Sequence, residues 1–138
     1  MKVVILCGGL GSRLSEETKL KPKPMVKIGR LPILVHIMKI YSKFGYNDFI
    51  LALGYKKNVI IDYFRKCSFN EWNIEFVDTG KNTLTGKRLL KLKKYLIDSE
   101  NFFLTYGDGL SNININQLLT FHKKNKKIAT LTAVRPPA

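Results

Sequence analysis

The sequence predicts an α/β protein organised around a mainly parallel sheet. Three observations lead there. Short apolar runs alternate with longer segments whose apolar residues recur at helical spacing, and this alternation continues almost to the last residue. The first apolar run passes straight into a cluster of glycines, the pattern of a strand that ends in a ligand loop. With 138 residues, 45% of them hydrophobic, the chain can bury one core but hardly two, so residues 1–138 read as a single domain or a portion of one.

The elements follow in order. Residues 2–6, KVVIL, form the first strand. The segment 32–45, PILVHIMKIYSKFG, predicts a helix: Pro32 stands at a tolerated first-turn position, Gly45 ends it, and Ile33, Ile37, Ile40, Tyr41 and Phe44 share a face. DFILAL at 48–53 is the second strand, and a helix over 57–66 presents Val59, Ile60, Tyr63 and Phe64. NIEFVD at 73–78 is the third strand. A basic helix over 87–96 follows, with Leu89, Leu90, Leu92 and Leu96 available for packing. FFLTY at 102–106 is the fourth strand, 115–124 a further helix, and IATLTAV at 128–134 a fifth strand. There is no internal repeat or linker.

Composition narrows the function only a little. Twenty-four lysines and arginines against ten acidic residues leave a formal charge of +14, which asks for an anionic partner. The lysines are scattered along the whole chain, and the densest run, HKKNKK at 122–127, reads as the solvated end of a helix rather than a nucleic-acid patch. The apolar runs are strand-sized, so neither a membrane span nor a signal peptide is expected. Cys7 and Cys67 lack metal-ligand spacing and read as reduced thiols of a cytoplasmic protein.

The chemistry concentrates in CGGLGSRLSEETKLKPKPM at 7–25. Gly8, Gly9 and Gly11 remove side chains just past the first strand, so that backbone N–H groups can approach phosphate oxygens; Arg13 and Lys23 add cations. This is neither a dinucleotide fingerprint nor a P-loop, and taken alone it also fits a plain tight turn. Pro22 and Pro24 stiffen the second part and are expected to hold Lys21 and Lys23 extended, which fixes Lys23 in place. Asp108, between Gly107 and Gly109 after the fourth strand, stands where a metal ligand at a sheet's carboxyl edge would be; alone, it also fits a turn aspartate. His36 reads as a packed histidine and His122 as part of the solvated run. Tyr41, Tyr55 and Tyr63 read as packing residues, and Trp72 as a core or interface anchor.

GGLGSRL, KPKPM, a helix opened by PIL, VDTG, TGKRL, TYGDG and ATLTA occur in one order along the chain. Together they resemble the sugar nucleotidyltransferases, and within them the branch that makes CDP-glucose from CTP and α-D-glucose 1-phosphate for dideoxysugar synthesis. The resemblance implies a Rossmann-like nucleotidyltransferase fold with helices on both faces, of which this chain looks like the nucleotide-binding portion without the C-terminal half. It implies that Leu6, Cys7, Gly8, Gly9, Leu10, Gly11, Ser12 and Arg13 wrap the nucleotide, with Thr83, Arg88 and Gly107 also in that site. Arg13 and Lys23 take the catalytic roles on the phosphates, and Asp108 binds Mg2+. It further implies a homo-oligomer when full length, and partners that are neither nucleic acid nor membrane.

The implied reaction is an in-line attack on the α-phosphorus that expels pyrophosphate, so it asks for positioning and charge stabilisation more than for an acid or base. Three departures from the branch stand out. Only KCSFNEW, 66–72, joins the second helix to the third strand, where a long insertion is expected. Arg30-Leu31-Pro32 replaces a Gly-Lys-Pro, and Ser12 replaces a threonine. Two alternatives stay open: a nucleotidyltransferase using another nucleotide or another sugar or alcohol phosphate, and a non-catalytic nucleotide-binding module.

Overall fold

The computed structural model describes residues 1–9 and 21–135. In chain order the elements are β1 Lys2–Leu6, a 3-10 turn Lys23–Met25, the two-residue strands β2 Lys27–Ile28 and β3 Leu31–Pro32, and α1 Ile33–Ser42. Then come β4 Asp48–Leu53, α2 Lys57–Lys66, β5 Asn73–Asp78, α3 Thr85–Leu90, α4 Lys93–Leu96, β6 Phe103–Tyr106 and α5 Ile115–Asn125.

β1 is apolar at every position from Val3 to Leu6, and all four residues are buried, as a strand covered on both faces requires. It pairs in parallel with β4 on one side and β6 on the other, while β5 pairs in parallel with the far side of β4, giving the order β5-β4-β1-β6. The alternation along the strands sorts the core into two layers. Val3, Ile5, Phe49, Leu51 and Leu53 meet α1, α2 and α5 through Leu34, Ile37, Met38, Ile60, Phe64 and Ile115. Val4, Leu6, Ile50, Ala52 and Val77 meet the α3–α4 segment through Leu89, Leu92 and Leu96. Helices therefore cover both faces.

The connection KCSFNEW is short because aromatic rings close it. Phe69 stacks on Trp72 with centroids 4.6 Å apart and planes within 9°, and Trp72 meets Phe49 edge-on at 5.6 Å. The indole Nε1–H donates to Ser42 Oγ at 3.0 Å, so the buried ring of Trp72 leaves no donor unpaired and anchors the end of α1.

Four expectations need correction. Lys23 is not extended: it opens the 3-10 turn, because the Met25 N–H donates to Pro22 O at 2.8 Å and closes the chain on itself. The helix expected over 87–96 begins at Thr85 and breaks at Lys91–Leu92, where Lys91 Nζ donates back to Thr79 O at 2.8 Å and Leu92 turns fully into the core. Leu90 in consequence points outward, 72% exposed, instead of packing. Residues 128–134 form no strand, and Ile128, Leu131 and Val134 are exposed. Strand-forming side chains do not make a strand without a backbone ladder beside them, and this segment pairs with none of the described strands.

The histidines also differ in detail. His36 Nε2 lies 3.0 Å from Ile28 O and joins α1 to β2. His122 is not merely solvated: Nε2 lies 2.9 Å from Asn101 Oδ1 and Nδ1 lies 2.9 Å from the Thr130 hydroxyl. No helix among the described residues is long and apolar enough to cross a membrane.

The two-layer core predicts a steep contrast. Phe49→Ala should lower stability by about 3–5 kcal/mol, whereas Leu104→Ala, at a position 45% exposed on β6, should cost less than about 1.5 kcal/mol. Urea denaturation with an unchanged m-value would measure both; equal losses would contradict the core assignment.

Candidate functional site

Because β1, β4, β5 and β6 run parallel, their carboxyl ends at Leu6, Leu53, Asp78 and Tyr106 lie along one edge of the sheet. Loops leaving that edge enclose a cleft of about 410 Å³. Of the residues expected in a site, Leu6, Cys7, Gly8, Gly9, Lys23, Thr83, Arg88, Gly107 and Asp108 all line it. Leu10, Gly11, Ser12 and Arg13 lie outside the described residues.

Gly8 follows β1 and is held from two directions. Its carbonyl accepts from Arg88 Nη2 at 3.2 Å and from the Tyr55 N–H at 3.5 Å. Gly9 is exposed beside it, and a Cβ there would meet no atom of the described residues within 4 Å. Cys7 beneath is buried; burial first, and the Asp108 charge to a lesser degree, push its thiol far above its ordinary value, although Arg88 works the other way. It therefore stays protonated and unreactive at neutral pH.

Lys23 reaches the cleft from the 3-10 turn. Its Nζ lies 2.5 Å from Asp108 Oδ2, with both side chains about one-third exposed. The turn is seated on Gly107: a Cβ at that position would fall 2.7 Å from Pro24 Cγ and 3.1 Å from Cys7 Sγ. A side chain on residue 107 would thus displace the element that carries Lys23.

Arg88 is the buried cation of the site, 4% exposed. Nη1 donates to Leu53 O at 2.9 Å and to Thr79 Oγ1; Nη2 donates to Gly8 O and, at 2.9 Å, to Thr83 O. Burial presses its pKa below the ordinary arginine value, with Cys7 and Asp78 opposing. Thr83 Oγ1 donates to Thr79 O at 2.6 Å, so the 79–83 loop is tied to itself as well as to Arg88.

The loop after β5 contributes more than the sequence reading assigned to it. Lys81, Asn82, Leu84 and Thr85 also line the cleft, and so do Pro24 and Tyr106. The signal for Lys81, Asn82, Leu84 and Thr85 was their place after an apolar run, at the same carboxyl edge as the glycine turn; their residue types carry no signature of their own. Outside the cleft, Asp78 accepts from Lys57 Nζ at 2.5 Å and from the Gly80 N–H at 3.0 Å, and these bonds hold its carboxyl below the usual carboxylate range.

Among the described residues no group of three or more histidine, cysteine or acidic side chains could cage a metal. Asp108 nevertheless fits a hard divalent ion that carries most of its own ligands. Mg2+ commonly takes one or two carboxylates and completes its shell with phosphate oxygens and water, and the Asp108 carboxylate already faces a cation, the Lys23 ammonium.

The sequence profile of the nucleotidyl transferase family matches residues 2–138. Glucose-1-phosphate cytidylyltransferase of Salmonella typhimurium is 47% identical over 158 residues, covering 99% of this chain and 62% of that protein. The probable glucose-1-phosphate cytidylyltransferase of Bacillus subtilis is 45% identical, covering 97% and 60%. The chain thus spans less than two-thirds of the length of these relatives. The match with the Salmonella enzyme runs over more positions than the 138 residues available, so that enzyme carries residues within the matched region that this chain lacks. Among solved structures, HddC from Yersinia pseudotuberculosis complexed with GMP-PN superposes with a TM-score of 0.76 at 32% identity, covering 88% of this chain and 53% of that one.

The seat of the lysine turn predicts a contrast between neighbouring glycines. Gly107→Ala should destabilise by about 1–3 kcal/mol through overpacking, whereas Gly109→Ala, whose nearest contact would be 3.8 Å away, should stay within about 0.5 kcal/mol. Thermal and urea unfolding of the two variants measure this, and equal effects would mean that the turn does not rest on Gly107. On the acid side, the depressed Asp78 carboxyl contributes stability that is present above the usual carboxylate range and disappears as pH falls through its folded-state pKa. Asp78→Asn should therefore flatten the acid limb of a stability profile and leave the alkaline limb unchanged.

Proposed function

The chain belongs to the nucleotidyl transferase family, and on that premise we propose that its cleft binds CTP with Mg2+ and forms the nucleotide half of a site that transfers a cytidylyl group to α-D-glucose 1-phosphate. The observation that carries this reading is the meeting of three features in one cleft. These are a side-chain-free turn at Gly8 and Gly9, the Lys23 ammonium and the Asp108 carboxylate. The high identity to cytidylyltransferases from two bacteria supports the choice of base and acceptor.

Two polyanions must come together for such a transfer, and the chain's own groups lower their repulsion. The glycine turn offers backbone donors, and Lys23 swings from Asp108 to the phosphates as charge develops on them. Arg13 is assigned to the triphosphate from its place in the glycine loop. Thr83 and Gly107 flank the nucleotide on opposite walls. An oxygen of the sugar phosphate forms the new bond to the α-phosphorus while the bond from that phosphorus to the bridging oxygen breaks, and pyrophosphate leaves with the electron pair. Asp108 would hold Mg2+, which would supply Lewis-acid charge neutralisation at the phosphates.

A second reading, another nucleotide in the same cradle, is favoured by the structural likeness to HddC, whose complex holds GMP-PN. Calorimetric titration with CTP, UTP, GTP, ATP and dTTP in the presence of Mg2+ separates the two. The expected result is selective CTP binding that weakens in Arg13→Ala; preference for a purine nucleotide would overturn the cytidylyl assignment.

The Lys23–Asp108 pair adds a sharper expectation. Both groups are partly exposed, so the pair stabilises by about 1 kcal/mol at most, and Asp108→Asn should raise metal-free CTP affinity about threefold by releasing Lys23. The same variant should abolish the gain from Mg2+. Asp108→Asn placed on Lys23→Gln should give no metal-free gain; an equal gain there would show a general field effect in place of release.

A further inference from the structure

We infer that Arg88 is a positioning residue that shapes the glycine turn from behind, without gripping the nucleotide's phosphates itself. The inference rests on the reading of the cleft as a nucleotide site. It begins from the number of donors available. A guanidinium has five N–H groups, and the four on Nη1 and Nη2 are all engaged by Leu53 O, Thr79 Oγ1, Gly8 O and Thr83 O. The fork that would embrace a phosphate is already turned onto protein.

Those acceptors lie on the chain just past β1, at the end of β4 and in the loop after β5, so one side chain from α3 joins three strand exits. A glycine makes room for it. A Cβ on Gly8 would fall 2.0 Å from Nη1, and one on Gly54 would fall 2.9 Å from the same atom. The absent side chain of Gly8 is therefore the space that the guanidinium fills, whereas a Cβ on Gly54 would first meet Gly8 O and Gly80 O, each at 2.8 Å.

Planarity of the peptide bond carries the effect into the cleft. The described residues contain no cis peptide, and across a trans peptide the carbonyl of one residue and the N–H of the next point in opposite directions. Arg88 and the Tyr55 N–H hold the Gly8 carbonyl toward the wall, so the Gly9 N–H is aimed the opposite way. A backbone donor is thereby set for an anionic oxygen before any ligand arrives. Arg88 forms no ion pair with a described carboxylate, so its positive charge also acts, from beneath, on whatever the turn receives.

The test uses the whole chain in its nucleotide-free and CTP-bound states. Amide NMR of Arg88→Lys and Arg88→Gln should show the Gly9 N–H resonance displaced, with faster hydrogen exchange, before any nucleotide is added. CTP affinity should fall about tenfold in both variants, because a lysine, though cationic, cannot span four acceptors. Retained dispersion elsewhere in the spectrum establishes that the variants are folded. An unchanged Gly9 resonance together with weakened CTP binding would overturn the inference and make Arg88 a direct nucleotide ligand. A displaced resonance with unchanged CTP affinity would reduce Arg88 to a folding role. If the wild-type chain binds no nucleotide, the reading of the cleft fails, and the Gly9 resonance still reports separately on whether Arg88 sets the turn.

Discussion

Parallel pairing of β1 with a neighbour on each side is the constraint on which the rest depends. Parallel ladders force every connection back across the sheet, so each strand leaves at the same edge, and the loops after β1, β4, β5 and β6 crowd together there. Such a sheet must be covered on both faces, and the two apolar layers supply that cover. A rigid, doubly covered sheet gives loops that are individually irregular a common foundation. The cleft is a consequence of that edge, and its polar groups arrive from segments up to about a hundred residues apart in sequence.

At the edge, small residues and cations are matched to one another. Gly8 leaves space that the Arg88 guanidinium fills, and Gly107 leaves space on which Pro24 rests, so two of the cleft's cations are located by the absence of side chains elsewhere. The two cations differ in surroundings. Arg88 is buried and bonded to carbonyl and hydroxyl oxygens, whereas Lys23 is partly exposed and paired with Asp108 by a bond that costs little to open. A fixed charge beneath the turn and a movable one beside it suit a site that must first attract a polyanion and then follow its charge as it shifts.

Much of this was legible in residues 2–108. KVVIL and DFILAL announced strands because apolar residues fill both faces, NIEFVD because Ile74 and Phe76 alternate with polar residues, and α1 and α2 announced themselves through helical spacing. Lys23, Gly8, Gly107 and Asp108 could be nominated because their residue types suit phosphate and metal, and their order along the chain matched a known family. Lys81, Asn82, Leu84 and Thr85 were missed, since residues of an irregular loop carry no chemistry until their neighbours are known. IATLTAV read as a strand on propensity alone, and propensity does not supply the ladder that a strand needs.

What the sequence determined by itself was therefore the alternation of elements, the family and the list of chemically suited residues, because periodicity, turn chemistry and motif order are local properties. The tertiary structure decided which of those residues meet. It paired Lys23 with Asp108 across 85 positions and turned Arg88 onto Gly8 across 80. It also placed Leu90 in solvent and Leu92 in the core, although both are leucines on one basic stretch. Distances of this kind follow from how layers pack and where strands end, and no local pattern encodes them.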